Sequence, residues 1–286
     1  MANTLITPTN VARAALATYQ FNAVLPRIVN RNYVTEFGGG AGDTVTIRQQ
    51  ARLTTNLFDR TTGVVVQDVV EGSQQLQVGD IFDVSVQLTQ EQWDLDLTDF
   101  SYQVAEPMGK ALVRTSEEVI YDAMKTKAYE ANLTAGTDSV LDALVDLRSA
   151  LTAEEVPLND RVIVVGSNVT AELLKDPNLI KANEAGNSDA LRNAQVGRLF
   201  GMPVLESVVV DAGDAWIVQR ESTTFVSITP QMPRGAANAA TQTFDNQAFR
   251  VVFGYDQSKK QDLVSGDAYL TAKVIRPEAI VGVNFV

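Results

Sequence analysis

Residues 75–88 have the sequence QLQVGDIFDVSVQL, in which apolar and polar side chains alternate. Such alternation, with a period of two residues, is typical of a strand that buries one face. Apolar residues occupy most of the even positions from Leu76 to Leu88. We therefore predict one unusually long strand over residues 76–88, about 43 Å in length at ~3.3 Å per residue.

A shorter strand is predicted over residues 43–48, where Val45 and Ile47 share one face after the glycine-rich segment GGGAG. The intervening residues 49–74 are polar and rich in threonine, with one short apolar run at residues 64–66. Two strands joined by such a segment predict a long β-hairpin with a polar tip. Because a hairpin of this kind cannot build a core by itself, we expect it to lie on the surface of a partner.

Helical periodicity follows the predicted hairpin. Apolar residues recur every three to four positions from residue 100 to residue 131, which predicts one long helix. Pro107 is expected to kink this helix or to begin its straight part, because proline lacks the backbone donor. Glu117, Glu118 and Asp122 are expected to form the exposed outer face of the helix.

The remaining sequence alternates between helical and strand patterns, which is typical of a compact α/β region. Helices are predicted over residues 138–151, capped by Asp138, and over residues 169–175, capped by Asn168. A further helix is predicted near the N-terminus, over residues 11–24, and residues 229–246 are expected to form a loop. Strands are predicted over residues 161–165, 204–210, 215–219, 224–228, 248–253, 268–275 and 279–283. The chain is therefore predicted to be an α+β protein.

The composition excludes many kinds of catalysis. The 286 residues include neither histidine nor cysteine, and the formal net charge is −12 at pH 7. Histidine-dependent triads, thiol catalysis, structural zinc sites and disulfides are thereby excluded. The negative charge argues against wrapping of DNA or RNA, which requires clustered Lys and Arg. No apolar run approaches the ~20 residues of a membrane helix, so no membrane partner is predicted.

Three segments have a weak likeness to known sites. Residues 162–168 predict a strand and a turn before a helix, but they lack the glycines and the lysine of nucleotide-binding loops. The acidic cluster within residues 94–99 lacks the glycine and the glutamate of a calcium loop. Glu154 and Glu155 are adjacent on a predicted exposed turn. We therefore predict no catalytic residue, no metal ligand and no cofactor.

The order of the predicted elements, together with three motifs, resembles a known family. The first motif comprises Asn30-Arg31-Asn32-Tyr33, Phe37 and residues 42–48; the second is GRLFGMPV at residues 197–204; the third is VIRPEAIV at residues 274–281. In this order and spacing they resemble the major capsid proteins of tailed bacteriophages of the Hong Kong 97 type. The likeness is to the podovirus coat protein branch in particular.

This resemblance implies a fold and a division of the chain. The fold would be the Hong Kong 97-type capsid fold, with an N-terminal arm, an E-loop hairpin, a long spine helix and a compact axial α/β domain. The implied divisions are residues 1–39 for the N-terminal arm and helix, 40–92 for the E-loop, 93–135 for the spine helix of the peripheral domain, 136–247 for the axial domain and 248–286 for strands that return to the peripheral domain. The large insertion domain of some relatives is missing, unless residues 229–246 are its remnant.

The resemblance also implies a function and partners. The chain would assemble with copies of itself into pentamers and hexamers of an icosahedral shell, which encloses double-stranded DNA without sequence-specific binding. A separate scaffolding protein, a portal and a decoration protein are the other partners implied. The shell would belong to the virion, after assembly in the cytoplasm of the bacterial host, and the chain would not be an enzyme.

Three alternatives remain at this point. An encapsulin-type compartment would use the same fold to enclose enzyme cargo. A phage tail-tube or adaptor protein would be favoured if the long helix were absent. As an enzyme, the chain would be limited to carboxylate-based hydrolysis.

The basic residues of the hairpin are candidates for contacts between copies. No lysine precedes Lys110, whereas arginines do occur in that part of the chain, and arginine suits protein interfaces better than lysine does. We predict that Arg48, Arg52 and Arg60 pair with acidic groups of a neighbour, and that Phe58 is an apolar anchor. Some relatives join an E-loop lysine to an asparagine of a neighbour, and residues 40–90 contain no lysine for that reaction.

Overall fold

The computed structural model describes residues 11–13, 23–37, 44–49, 51, 53–61, 63–89, 91–92, 101–134, 138–176, 197–232, 238–244 and 247–286. In these residues the chain forms sheets and helices, as the prediction of an α+β protein requires. Residues 11–13 are helical, and the rest of the helix predicted over 11–24 falls mostly outside the described residues. Arg52 and the acidic cluster within 94–99 also lie outside them.

A mixed sheet of six strands forms the centre of the C-terminal half. Its order is β4-β13-β8-β5-β7-β6. The bounds of these strands are Ala131–Leu133 for β4, Arg161–Val165 for β5, Arg198–Leu199 for β6, Met202–Glu206 for β7, Asp214–Gln219 for β8 and Ile280–Phe285 for β13. Strand β5 pairs in parallel with β7 and antiparallel with β8, whereas β13 joins the C-terminal end of the chain to β4 and β8.

Both faces of this sheet are covered by other parts of the chain. Its strands have apolar residues at odd and even positions alike, as burial of both faces requires. Helices α3 (Val140–Ala153) and α4 (Ser167–Lys175) contribute Leu144, Leu151 and Leu173 to the core on one face. The opposite face contributes Val164 and Trp216 to a second core. Strands that are buried on both faces have near-continuous apolar sequences, and β5 has the sequence RVIVV.

A second sheet contains five strands. They are β3 (Ile81–Thr89), β9 (Thr223–Ile228), β10 (Ala239–Phe244), β11 (Gln247–Asp256) and β12 (Gln261–Val274). The order is β10-β11-β12-β3, and β9 also pairs with β12. Strand β12 is therefore the central strand: its first part pairs with β11 and β3, and its second part pairs with β9.

The long helix α2 (Glu106–Lys125) connects the two sheets. Met108 and Leu112, in its first half, pack with residues of β11 and β12, while Ile120 and Met124 pack against the six-stranded sheet. The helix crosses β12 closely at Gly266, where a Cβ atom would lie 2.7 Å from Met108 Cε. A glycine permits this close approach at a cost in backbone entropy.

Helix α2 is shorter than predicted. A π-helical turn, Ser101–Ala105, precedes it, and Pro107 lies in its first turn, so that the proline begins the straight part of the helix. The prediction that the helix continues to residue 131 is wrong, because α2 ends at Lys125 with tighter bonds: the Thr126 N–H donates to the Ala123 carbonyl at 3.2 Å and the Lys127 N–H to the Met124 carbonyl at 3.1 Å. The chain then turns, and β4 pairs with β13.

The predicted strand over residues 76–88 is in fact two strands in different sheets. Strand β2 (Gly72–Gln77) pairs antiparallel with β1 (Thr44–Gln49), whereas β3 pairs with β12. Gly79 and Asp80, which interrupt the alternation, lie in the break. Within β3 the alternation was interpreted correctly, because Phe82, Val84, Val86 and Leu88 are more buried than their neighbours.

Four local predictions also need correction. Ser139, not Asp138, caps α3, since its side chain accepts from the Asp142 N–H at 3.3 Å. Asn168 does not cap α4, which follows Gly166 and has no side-chain cap. The strand predicted over residues 204–210 ends earlier, at Glu206, and the loop predicted over residues 229–246 contains β10.

Candidate functional site

The hairpin that projects from residues 44–78 is the first candidate site, and it has two parts. We call β1, β2 and Val78 the arm base, and residues 50–71 the arm tip. The arm base belongs to the core of its own chain: Val45, Ile47, Leu76 and Val78 are buried against residues such as Val226 and Ile275. The base therefore contributes to the core of its own chain, and the expectation that the hairpin lies on a partner stays a prediction for the arm tip.

The arm tip is held by local hydrogen bonds. Gln67 acts as a brace: its side-chain amide accepts from the Thr54 N–H at 3.1 Å and donates to the Thr54 carbonyl at 2.5 Å. Asp59 organises the turn, since its carboxylate accepts from the Thr61 N–H at 2.9 Å and its carbonyl accepts from the Gly63 N–H at 2.9 Å. The described residues of the tip thus have a defined shape without a ladder of strand pairs.

The arm tip exposes apolar side chains to solvent. Leu57 is 98% exposed and Val66 is 84% exposed. Eight of the sixteen large apolar residues that are exposed among the described residues belong to this tip: Leu53, Leu57, Phe58, Val64, Val65, Val66, Val69 and Val70. Single exposed apolar residues are ordinary, but a group of this kind on one projection marks a contact surface.

The structure places three of the four predicted contact residues on or beside this tip, and the fourth, Arg52, lies outside the described residues. Phe58 and Arg60 are exposed near the turn, and Arg48 forms an exposed ion pair with Glu71 of the same chain at 3.7 Å. Arg48 is thus already paired within its own chain. The apolar residues other than Phe58 were missed as contact candidates, although the run at residues 64–66 was a signal for them.

A second polar site joins α2 to the segments packed on it. Glu117 is buried and accepts from the backbone N–H of Val24 at 2.6 Å, from that of Leu25 at 3.2 Å, and from the Ser207 hydroxyl at 2.9 Å. These bonds join the short helix α1 (Leu25–Ile28) and the loop after β7 to α2. The prediction that Glu117 lies on the exposed outer face of the helix is wrong, whereas Glu118 and Asp122 are exposed or partly exposed.

Asp214 forms a comparable junction with Tyr121, which follows Glu117 by one helical turn on α2. Its Oδ2 accepts from the Tyr121 hydroxyl at 2.5 Å and the Tyr129 hydroxyl at 2.7 Å, and its Oδ1 accepts from Asn284 Nδ2 at 2.6 Å. Trp216 Nε1 donates to Oδ2 at 3.3 Å. Burial, with a contribution from the hydrogen bond to Asp214, raises the pKa of both phenols, Tyr121 and Tyr129.

An exposed groove lies beside these junctions, between α2 and residues 208–211. Its lining mixes Lys110, Arg114, Asp122 and Val208. At one end Lys125 and Asp211 form an ion pair at 2.6 Å, which raises the pKa of Lys125 and lowers that of Asp211. Charges of both signs line the groove.

No cluster of metal-ligating side chains accompanies these features in the described residues. Within those ranges, no group of three or more acidic side chains is placed to hold a metal ion. In the same part of the chain, no helix is long and apolar enough to cross a membrane. Glu154 and Glu155 lie on an exposed turn after α3.

Solved structures match this chain over more than nine-tenths of its length. The structure from Mycobacterium phage Che8 matches with a TM-score of 0.71 at 18% identity, over 92% of this chain and 91% of that chain. The capsid of a native GTA particle matches with a TM-score of 0.63 at 16% identity, over 100% and 93% of the two chains. A virus-like particle from Pyrococcus furiosus matches with a TM-score of 0.58 at 14% identity, over 96% and 98%. The fold is therefore that of the Hong Kong 97-type capsid proteins.

The sequence identifies the family within that fold class. The profile of the family described as phage capsid protein matches residues 71–256, more than half of the chain. A comparison with curated protein sequences finds no significant match. The chain belongs to the phage capsid protein family, and its function is that of a major capsid protein. The condition that would have favoured a tail-tube protein, absence of the long helix, is not met.

Proposed function

We propose that copies of this chain form pentamers and hexamers of a closed icosahedral shell around double-stranded DNA, and that the arm tip overlaps a neighbouring copy. The observation that supports this proposal is the group of eight exposed apolar side chains on the tip. Burial of a Val, Leu or Phe side chain contributes about 1.5–3 kcal/mol. The tip therefore gains free energy only when another molecule covers it.

The net charge also supports apolar contacts between copies and a loose contact between the shell and DNA. At −12 per copy, neighbouring subunits repel one another over the range of the screening length, so an apolar contact is needed to hold them together. The same charge favours packaging of DNA without tight binding to the shell wall. The chain accordingly has a structural role without catalysis of its own.

The proposal keeps the domain divisions that the resemblance implies. The E-loop would contain the arm, the spine helix would be α2, and the axial domain would contain α3, α4 and strands β5 to β8. Residues 248–286 return to both sheets through β12 and β13. The proposal includes a separate scaffolding protein, a portal and a decoration protein, with assembly in the bacterial host and a final location in the virion.

Electron microscopy of the purified protein tests this function. We expect closed shells from the wild-type chain, and a threshold concentration for assembly that is at least about 10-fold higher in a Leu57→Ser, Val66→Ser variant, since 1.4 kcal/mol corresponds to a factor of ten. A control variant, Leu57→Met with Val66→Ile, keeps the surface apolar and should assemble as the wild type does.

Two outcomes would contradict the proposal. Tubes or single particles from the wild-type chain, at all concentrations tested and also when it is co-expressed with the scaffolding protein, would exclude a shell. Shells with the normal threshold from the serine variant would exclude the tip as the contact. Nuclease-resistant DNA inside particles purified from infected cells separates a genome shell from a compartment for enzyme cargo.

A further inference from the structure

Among the described residues, one edge of β12 close to the arm has no strand partner. Tyr269 pairs with Ile81 of β3 on one edge and with Ile228 of β9 on the other. Beyond Tyr269, β9 continues along its edge as far as Val274, whereas β3 has ended. Strand β2 lies alongside the edge that β3 leaves, but it pairs with β1 and not with β12.

Side chains bridge the gap between β12 and the arm base. The Thr271 hydroxyl donates to the Gln77 carbonyl at 3.2 Å, and Lys273 Nζ donates to the Gln75 carbonyl at 2.8 Å. From the arm, Gln49 Nε2 donates to the Ile275 carbonyl. These three bonds replace the backbone ladder that would otherwise continue the sheet.

The connection between β2 and β3 contains glycine. Gly79 lies between these strands, and an added Cβ there would meet no atom within 4 Å. Glycine allows a wide range of backbone conformations, so this connection alone does not fix the direction of the arm.

We infer that Gln49, Thr271 and Lys273 form a clamp that sets the angle of the arm on β12, and so positions the arm tip for a neighbouring copy. The role in assembly rests on the proposed function, but the clamp itself is a property of the single chain. The buried arm base keeps the arm attached, while the three bonds select one orientation. The three residues are thus positioning residues for the contact surface.

The absence of cysteine from the chain allows a direct test of the arm angle. Spin labels on cysteines introduced by Thr55→Cys, in the arm tip, and Asp146→Cys, on the exposed face of α3, report one distance in the unassembled chain. We expect a narrow distance distribution in the otherwise wild-type chain. A Gln49→Met, Thr271→Val, Lys273→Met variant should broaden the distribution at least twofold and slow shell formation.

Two matched variants separate the clamp from a general loss of structure. Gln87→Met with Thr241→Val and Lys259→Met makes the same three chemical changes at exposed positions of β3, of β10 and of the turn before β12, and should keep the narrow distribution. Thr271→Ser with Lys273→Arg retains the donors and should also keep it. An unchanged distribution in the triple variant would overturn the clamp, as would equal broadening in the variant that retains the donors.

Different results would refute the proposed function and the clamp. If the wild-type chain formed no shells, the proposed function would fail while the distance measurement still decided the clamp. If the triple variant had a broad distribution but assembled at the normal rate, the angle would not matter for assembly and the positioning role would be refuted.

Discussion

At the scale of single residues, the buried carboxylate of Glu117 depends on partners far away in the chain. Its bonds come from Val24, Leu25 and Ser207, which are about ninety residues away in sequence. Three acidic residues close together on a helix predict an exposed face, and that prediction is right for its neighbours. Sequence periodicity alone contains no information on which acidic residue meets backbone donors from another segment.

Replacing Glu117 tests this junction. Glu117→Gln keeps the shape and one oxygen for the two backbone N–H groups, but it removes the charge that strengthens these bonds, so we expect the free energy of unfolding to fall by about 1–3 kcal/mol. Glu118→Gln is the control on the same helix, because Glu118 pairs with Arg114 at the surface, and a change below about 0.5 kcal/mol is expected. Urea unfolding measures both. Equal stability of Glu117→Gln and the wild type would show that the buried charge contributes nothing.

The raised pKa of Tyr121 predicts that the free energy of unfolding falls at alkaline pH. Because its pKa is raised in the folded chain, the phenol stays neutral there while the unfolded chain ionises above about pH 10. The unfolded state then binds fewer protons, so the stabilisation present below that pH is lost as the pH rises. Tyr129 acts in the same direction. Histidine is absent, so no comparable step from that side chain is expected between pH 6 and 8.

The measurement is the free energy of unfolding at several pH values between about 8 and 11. Tyr121→Phe should reduce the alkaline slope by up to about 1.4 kcal/mol per pH unit, the contribution of one proton. Tyr255→Phe, which removes an exposed phenol on β11, serves as the control. The same slope in Tyr121→Phe as in the wild type would refute the assignment.

At the scale of elements, the arm illustrates what alternation can and cannot predict. Strand β1 and the inward face of β3 follow from apolar spacing alone, whereas four of the six residues of β2 lie outside the strand predicted over residues 76–88. The break between β2 and β3 has a local signal in Gly79 and Asp80, but the choice of partner strand depends on β12, which lies almost two hundred residues later. The burial of the arm base likewise depends on Val226 and Ile275.

Removal of the arm tip separates the role of the tip in assembly from the role of the arm base in folding. Gln49 and Gly72 are paired residues at the end of the β1–β2 ladder, so residues 50–71 can be replaced by Asn-Gly, which favours the tight turn of a two-residue hairpin. The shortened chain should remain folded, because the arm base is intact and loop closure costs little. It should form no shells, because the apolar contact is missing.

Sedimentation gives the assembly state of the shortened chain, and circular dichroism gives its fold. A matched deletion that also removes the arm base should be less stable, since Ile47 and Leu76 are buried there. Intact shells from the shortened chain would refute the role of the tip. An insoluble chain would mean that the tip belongs to the core.

At the scale of the whole molecule, the lysine distribution predicts how copies are held together. Residues 40–90 contain no lysine, so the arm has no amine that can form an isopeptide bond with a neighbour. We expect particles to dissociate in hot detergent and to give one band at 31.0 kDa on a denaturing gel. A ladder of covalent oligomers would contradict this prediction. Particles boiled without detergent serve as the loading control.

Copies of the chain can be held together by ion pairs or by apolar contacts, and the effect of salt distinguishes the two. The sequence favours ion pairs of Arg48, Arg52 and Arg60 with a neighbour, whereas the exposed tip favours apolar burial. Salt weakens exposed ion pairs, but it also screens the repulsion between copies of charge −12, and it does not weaken apolar burial. The direction of the salt effect on assembly therefore identifies which kind of contact holds the copies together.

We expect the threshold concentration for shell formation to fall as NaCl rises from about 0.05 M to about 0.5 M, since the screening length shrinks over that range. Light scattering at a series of protein concentrations measures the threshold. An Arg48→Ala, Arg60→Ala variant should show the same direction of change, because apolar contacts and screened repulsion remain. If the wild-type threshold instead rises with salt, and the arginine variant loses that dependence, ion pairs hold the neighbours together and the apolar tip is secondary.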